Sequence, residues 1–180
     1  MENRNDLAHW YPRLLAAGVP TPKTVIIKTD LPLIQLLGGE RIIGLDKLIR
    51  EILDAGDSLR WPCFLRTGMT SGKHEWKRTC YLEKPEDVLQ HIANLVEFGE
   101  CAGLFGLPYD TWAVREFLRL DSSFTAFNGM PINRERRFFI EGGEVVCSHP
   151  YWPKHAIEGY VNSEADWAQK LDELNSISPI

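Results

Sequence analysis

The segment Arg66-Thr67-Gly68-Met69-Thr70-Ser71-Gly72-Lys73-His74 gathers cations, hydroxyls and two glycines between two apolar runs. Glycines let backbone N–H groups approach an anion closely, and the cations neutralise it, so this loop suits the binding of a phosphate chain. Thr70, Ser71, Gly72 and Lys73 are its candidate contacts, with Arg66 at the point where the loop leaves the first apolar run. A Walker loop is excluded. Gly68 and Gly72 enclose three residues instead of four, His74 replaces the hydroxyl that would hold magnesium, and strand-like sequence follows where a helix is needed. The same residues also suit a solvated turn.

Two further segments carry charge into apolar runs. In Val114-Arg115-Glu116-Phe117-Leu118 a strand ends beside charges, and such a strand can offer backbone groups to an adenine and a carboxylate to a ribose; otherwise it is simply half exposed. In Arg134-Glu135-Arg136-Arg137-Phe138-Phe139-Ile140 three arginines precede a strand expected to be buried. Alternate residues share a face, so Arg137 points with Phe139 and Arg136 with Phe138. A guanidinium on a working face is a bidentate partner for phosphate or carboxylate, while a surface cluster stacked on its own aromatics is the alternative.

The elements that must position these residues follow from periodicity. A helix is predicted up to about residue 17, with Leu7, Trp10, Leu14 and Leu15 on one side and Gly18 as its stop. Pro20 and Pro22 lead into a buried strand over 24–27. A helix over 46–55 is closed by Gly56. A strand over 62–65, the loop, and a returning strand over 76–82 anchored by Trp76 come next. Pro85, Glu86 and Asp87 open a helix whose stripe is Val88, Ile92, Leu95 and Val96. A strand over 112–118 precedes a hairpin of 137–140 with 145–148 around Glu141-Gly142-Gly143-Glu144. An amphipathic helix over 163–174, capped by Ser163, ends the series. Mixed hairpins and helical crossovers predict an α+β fold, not a regular doubly wound sheet.

Composition bounds the function. The 180 residues are 44% apolar and 25% charged, enough for one large domain or two small ones. A net charge of −5 lacks the basic face that nucleic acid or an anionic membrane requires. Four scattered cysteines form no CxxC pair; Cys63, Cys80 and Cys147 sit in apolar or strand-like runs and are expected to be reduced and buried. No apolar stretch has the length of a signal-peptide core or a membrane span, and a cytoplasmic location is expected.

In order and spacing these segments resemble the ATP-grasp superfamily over residues 15–152. The resemblance rests on AAGVPTPKTVII, on PCFLR with Arg66 at the usual lysine, on TSGKHEW as a phosphate-covering loop, on WAVREFL as an adenine hinge, and on ERRFFIEGGEVVCSHPYW as an arginine-bearing strand pair. It is most similar to a divergent, phage-type clade with two arginines and one lysine, and also to the eukaryotic cell-division-cycle ATP-grasp family that assists assembly of a translation initiation factor. The resemblance implies two α+β lobes with ATP in the cleft between them. It divides the chain into an N-terminal helix and strand segment (1–60), a small phosphate-loop lobe (61–110) and a partial C-terminal lobe (111–180). Arg66 and Lys73 would meet the α- and β-phosphates, Arg115, Glu116, Phe117 and Leu118 would form the hinge, Asp121 would reach the ribose, and Arg137 the γ-phosphate or an acyl phosphate. Lys73 and Arg137 would be the catalytic cations of an ATP-dependent carboxylate–amine ligase with a small-molecule or peptide acceptor; a non-catalytic, ATP-dependent assembly factor with a protein partner is the alternative.

The resemblance also implies magnesium, held by an acid and an E-x-N triplet. Glu173-Leu174-Asn175 has those letters, yet Trp167, Leu171 and Leu174 fall at helical spacing, so no metal ligands are assigned and the metal-binding strands are expected to be missing. His149, Tyr151 and Trp152 would line an acceptor pocket or form an aromatic lid. His9, His91 and His155 receive no role.

Overall fold

A computed structural model describes residues 3–102, 106–161 and 165–176. The chain divides into two compact units, residues 1–118 and 119–180, each of mixed α and β structure.

In the first unit, α1 (Leu7–Ala16) starts where the Asp6 carboxylate accepts the Ala8 N–H at 2.7 Å, satisfying one of the orphan donors of a helix start. Its buried residues are Leu7 and Tyr11; Leu15, expected on the inner side, is half exposed. The sheet holds β1 (Thr24–Lys28), β2 (Cys63–Thr67), β3 (Tyr81–Leu82) and β4 (Thr111–Glu116) in the order β1-β4-β2-β3, all antiparallel. The strand foreseen as the opening of a C-terminal segment, β4, is therefore a central strand of this unit. Helices α2 (Leu45–Leu59) and α3 (Val88–Cys101) pack Leu48, Ile52, Ile92, Leu95 and Val96 against Cys63, Leu65, Trp112 and Val114 to make the main core. Each such aliphatic side chain contributes about 1.5–3 kcal/mol on burial. The α3 stripe agrees with its periodicity, but Gly56 does not end α2. It lies inside the helix and is buried because the Trp61 ring packs directly on it, in the space that a Cβ would occupy.

In the second unit, β5 (Ser122–Ala126) and β6 (Met130–Asn133) form a hairpin that periodicity did not foresee. Its turn, Phe127-Asn128-Gly129, has positive φ throughout, a conformation Asn and Gly tolerate. A second hairpin joins β7 (Arg136–Glu141) to β8 (Glu144–Pro150), as expected from the two glycines. It is not buried, however: of its residues all but Arg136, Ser148 and Pro150 are exposed. Cys147, on β8, is exposed with it. Short α4 (Lys154–Ile157) and α5 (Trp167–Ser176) complete the unit; Ser163, the expected cap, lies outside the described residues.

Candidate functional site

The glycine-bearing loop after β2 folds back on itself. Thr67 Oγ1 accepts the N–H groups of Met69 and Thr70 at 3.3 and 3.0 Å, Thr70 Oγ1 accepts that of Gly72 at 3.3 Å, and Gly68 N–H donates to the Thr111 carbonyl at 2.8 Å. The N–H groups of Gly68, Met69, Thr70 and Gly72 are thus already engaged inside the protein, while Ser71 lies on the same loop and Lys73 in the turn that follows, both half-buried. Gly68 has a different use. Its missing side chain leaves room for the Asp6 carboxylate, which also accepts the Thr111 hydroxyl at 2.9 Å and lies 3.9 Å from Lys28 Nζ.

The expected returning strand shrinks to Tyr81–Leu82. Gly72, at φ +57°, turns the chain into a 3-10 turn, Lys73–Glu75, and the Thr79 hydroxyl binds the carbonyls of Gly72 and Glu75 at 2.8 and 3.0 Å. These side-chain bonds compete with a strand ladder and win locally. From the other side, buried His91 on α3 donates from Nδ1 to the Thr79 carbonyl at 2.7 Å, and Asn94 Nδ2 to that of Arg78 at 2.6 Å. His91, given no role by the sequence, therefore positions this turn. Trp76 is buried there, stacked on Tyr81 (5.5 Å between centroids) and tilted against Phe64 and Phe117.

The cations are arranged by strand parity. On β2 and β4 the residues Cys63, Leu65, Trp112 and Val114 face the main core, so Arg66 and Arg115 project from the opposite face. Arg66 stands opposite Ala113 and Arg115 opposite Phe64, which makes the two arginines diagonal cross-strand neighbours, about 7–8 Å apart at Cα. Helix α1 covers Ala113 and Ile26 on one side of them; Phe64 and Tyr81, paired in register, lie on the other. Arg66 Nε donates to the Thr67 carbonyl and Arg115 Nε to Thr24 Oγ1, each at 3.0 Å. Among the described residues neither guanidinium forms an ion pair. Burial, and then the charge of Arg115, push the Arg66 guanidinium down to about 10, with Asp6 opposing the shift but not cancelling it; burial likewise lowers Arg115. Lys73 acts electrostatically on the same spot, since it and Arg66 both favour the Cys80 thiolate, although burial prevails and pushes that thiol up to about 12. Burial, then Lys73, lowers His74.

The ATP-grasp resemblance implies a hinge role for Arg115, whereas in the fold its side chain is the more telling group. The available signal was parity: Val114 and Glu116 flank it just as Leu65 and Thr67 flank Arg66. Glu116 is tied into the sheet, its N–H donating to the Lys23 carbonyl and its Oε1 accepting the Lys23 N–H at 2.7 Å. Phe117 joins Tyr81 edge to face at 5.2 Å, and Leu118 is exposed.

The second unit holds the remaining candidates. Asp121 is exposed just before β5. Arg137 lies on the exposed β7 with its guanidinium 4.7 Å from the centre of the Tyr151 ring. Trp152 is buried against Phe127 and Tyr151, with Phe127 stacked on Tyr160, so this cluster is a packed support and not an open acceptor pocket. The triplet Glu173-Leu174-Asn175 lies on α5, where Glu173 accepts from Gln169 at 3.0 Å and Asn175 donates to the Trp152 carbonyl at 3.3 Å. That engagement does not fit a magnesium site. Among the described residues no three His, Cys, Asp or Glu stand together as metal ligands, and no helix is long and apolar enough to cross a membrane. A pocket of about 390 Å³ with a mixed lining that includes Asp30, Leu31, Glu100, Leu107, Pro108 and Tyr109 lies beyond the Lys28 end of the sheet and takes in none of the expected site residues. No family model and no curated protein sequence matches the chain.

Proposed function

We propose that the first unit binds ATP on the sheet face that carries Arg66 and Arg115, as the nucleotide-holding part of an ATP-grasp protein. One observation carries this reading. Two like charges stand on adjacent strands, partly desolvated and, among the described residues, in no ion pair, with Asp6 acting on Arg66 only from a distance. Bringing two guanidiniums together out of water costs free energy, which an anionic ligand would offset. A di- or triphosphate has the charge and the spacing to bridge both, with Lys73 on the adjoining turn as a third cation. The rings of Phe64, Tyr81 and Phe117 beside Arg115, none of them fully buried, supply a stacking surface for a base. Titration calorimetry with ATP is the direct test: saturable heat that Arg66→Met and Arg115→Met each diminish supports the proposal, and an absence of heat with the intact chain ends it.

ATP-grasp proteins that join a carboxylate to an amine do so through an acyl phosphate, and phosphoryl transfer depends on cations and positioning more than on a covalent catalyst. A ligase of this kind releases ADP only when an acceptor is supplied. The engagement of Glu173 and Asn175 on a helix, and not on a metal-binding strand, favours a second reading, a non-catalytic ATP-dependent assembly factor. ATP binding without ADP formation across amino-acid and peptide acceptors, with a protein partner recovered in pull-down, separates the two.

A further inference from the structure

The β7–β8 hairpin exposes apolar residues on both faces. Ile140 is 68% exposed, Val145 and Val146 58% each, and Phe138 50%. Two strands alone are marginal in water, and an apolar pair without a third strand is a template for further pairing.

The charge pattern along β7 identifies a fitting occupant. Basic Arg136 and Arg137 open the strand, Phe138, Phe139 and Ile140 form its middle, and Glu141 closes it. Antiparallel to itself, such a strand sets base against acid at both ends and apolar against apolar between them. We propose that β7 pairs edge to edge with β7 of a second copy of this chain, making a continuous four-stranded sheet about a two-fold axis.

The register follows from the turn. Gly142 and Gly143 have φ of +59° and +88°, so Glu141 and Glu144 close a two-residue hairpin and share its hydrogen bonds. The register shifts between Phe139 and Ile140, but the extra residue, Val146, lies on β8, so alternation along β7 is unbroken. The backbone groups of Arg137, Phe139 and Glu141 turn toward β8, in phase with the Glu135 carbonyl that accepts the Tyr151 N–H, and those of Arg136, Phe138 and Ile140 turn outward. Only residues of the outward set can bond across a new edge. Placing Phe138 on the axis would oppose Glu141 to Glu135 of the partner subunit, and placing the axis one residue earlier would oppose Arg137 to itself. Placing Phe139 on the axis avoids both. Phe138 then bonds opposite Ile140 of the partner subunit, and Arg137 stands opposite Glu141 of the partner subunit on the face that also carries His149, which Phe139 meets at 5.6 Å between ring centres. Opposite charges placed so stabilise a sheet and like charges destabilise it. The association is isologous. It gives Arg137 a carboxylate partner in place of the phosphate contact implied by the ATP-grasp resemblance, and it uses no residue of the first unit.

Sedimentation equilibrium of the full chain, over low-micromolar to several hundred micromolar concentrations, tests the pairing together with a charge exchange. The intact chain is expected to dimerise reversibly, less strongly at high salt. Arg137→Glu and Glu141→Arg each place two like-charge pairs across the edge and should yield monomers. An equimolar mixture of the two single variants restores both pairs and should yield heterodimers, as should the double variant with itself as a homodimer. An intact chain monomeric throughout, or dimers indifferent to both single changes, would overturn the proposal. Circular dichroism of each variant identifies misfolding, and rescue by mixing two impaired chains distinguishes edge pairing from simple loss of fold.

Discussion

The carboxylate of Asp6 fills the space that any side chain at position 68 would need: a Cβ on Gly68 would lie 2.6 Å from Asp6 Oδ1. The glycine that looked like part of a phosphate cradle instead admits the cap of α1. Its φ is not in the left-handed region, so the requirement is for space and not for backbone freedom.

Gly68→Ala is therefore expected to displace Asp6 from the Ala8 N–H and the Thr111 hydroxyl. An N-cap is worth ~1 kcal/mol and a hydrogen bond about as much, so urea unfolding should show a loss of roughly 1–3 kcal/mol. In an Asp6→Ala background the same change should cost much less, and a double-mutant cycle measures that coupling. Equal costs in both backgrounds would refute the contact.

Gly56→Ala tests close packing against helix propensity. Alanine in a helix interior is favoured over glycine by about 1 kcal/mol, yet here its Cβ would run into the Trp61 ring. Overpacking of this kind costs about 1–3 kcal/mol, so the net effect should be destabilising. With Trp61→Ala the obstacle disappears and Gly56→Ala should become stabilising; the thermal midpoint reads the change of sign.

Arg66→Met and Arg115→Met should separate binding from stability. Each removes a guanidinium whose charge is disfavoured by burial and, for Arg66, by its neighbour, so the apo protein should melt at an unchanged or higher temperature. A hydrogen bond to a charged group contributes about 1.5–3 kcal/mol, so each should weaken ATP roughly tenfold to hundredfold. A sharp fall in apo melting temperature with intact ATP affinity would make the arginines structural.

The apolar stripes of α2 and α3 and the strands beneath them were legible because spacing there has one cause, the core that these elements share. Val88, Ile92, Leu95 and Val96 are buried as their period requires. The turn after β2 was not legible. Residues 76–82 alternate like a strand, but the bonds that prevent one come from Thr79 and from His91 on α3, and these appear only when the chain is folded. The pairing of Arg66 with Arg115 depends on the register of two strands far apart in sequence. The hairpin about Asn128-Gly129 carried a recognisable turn signal, weakened by Pro131 in the second strand.

Acid should expose the role of His91. Burial lowers its imidazole below the ordinary histidine range, although its bond to the Thr79 carbonyl opposes the shift. The unfolded chain therefore takes up a proton as pH falls through about 6.5 while the folded chain does not. This contribution is full above that pH and declines progressively toward the lower folded value. His91→Gln can still donate to Thr79 but cannot titrate, so unfolding free energies at pH 7.5 and 5.5 should differ less in the variant than in the parent. An identical pH slope in both would show that His91 does not govern the acid response.

The four cysteines should react in two classes. Cys63 and Cys80 are buried, and burial, with Asp57 assisting at Cys63, raises their thiols to about 11 and about 12. The cations Lys73 and Arg66 near Cys80 do not reverse this, since burial is the larger cause. Only the thiolate is alkylated, so both should resist iodoacetamide at pH 8. Cys101 and Cys147 are exposed and should label first, as mass spectrometry of peptides would show. Cys63 and Cys80 should follow only on unfolding, with one distinction between them. Cys80 lies on the turn held by Thr79 and His91, so His91→Ala should speed its labelling while leaving Cys63, under the α2 core, protected. Equal acceleration at both sites would mean that His91 supports the whole unit and not this turn.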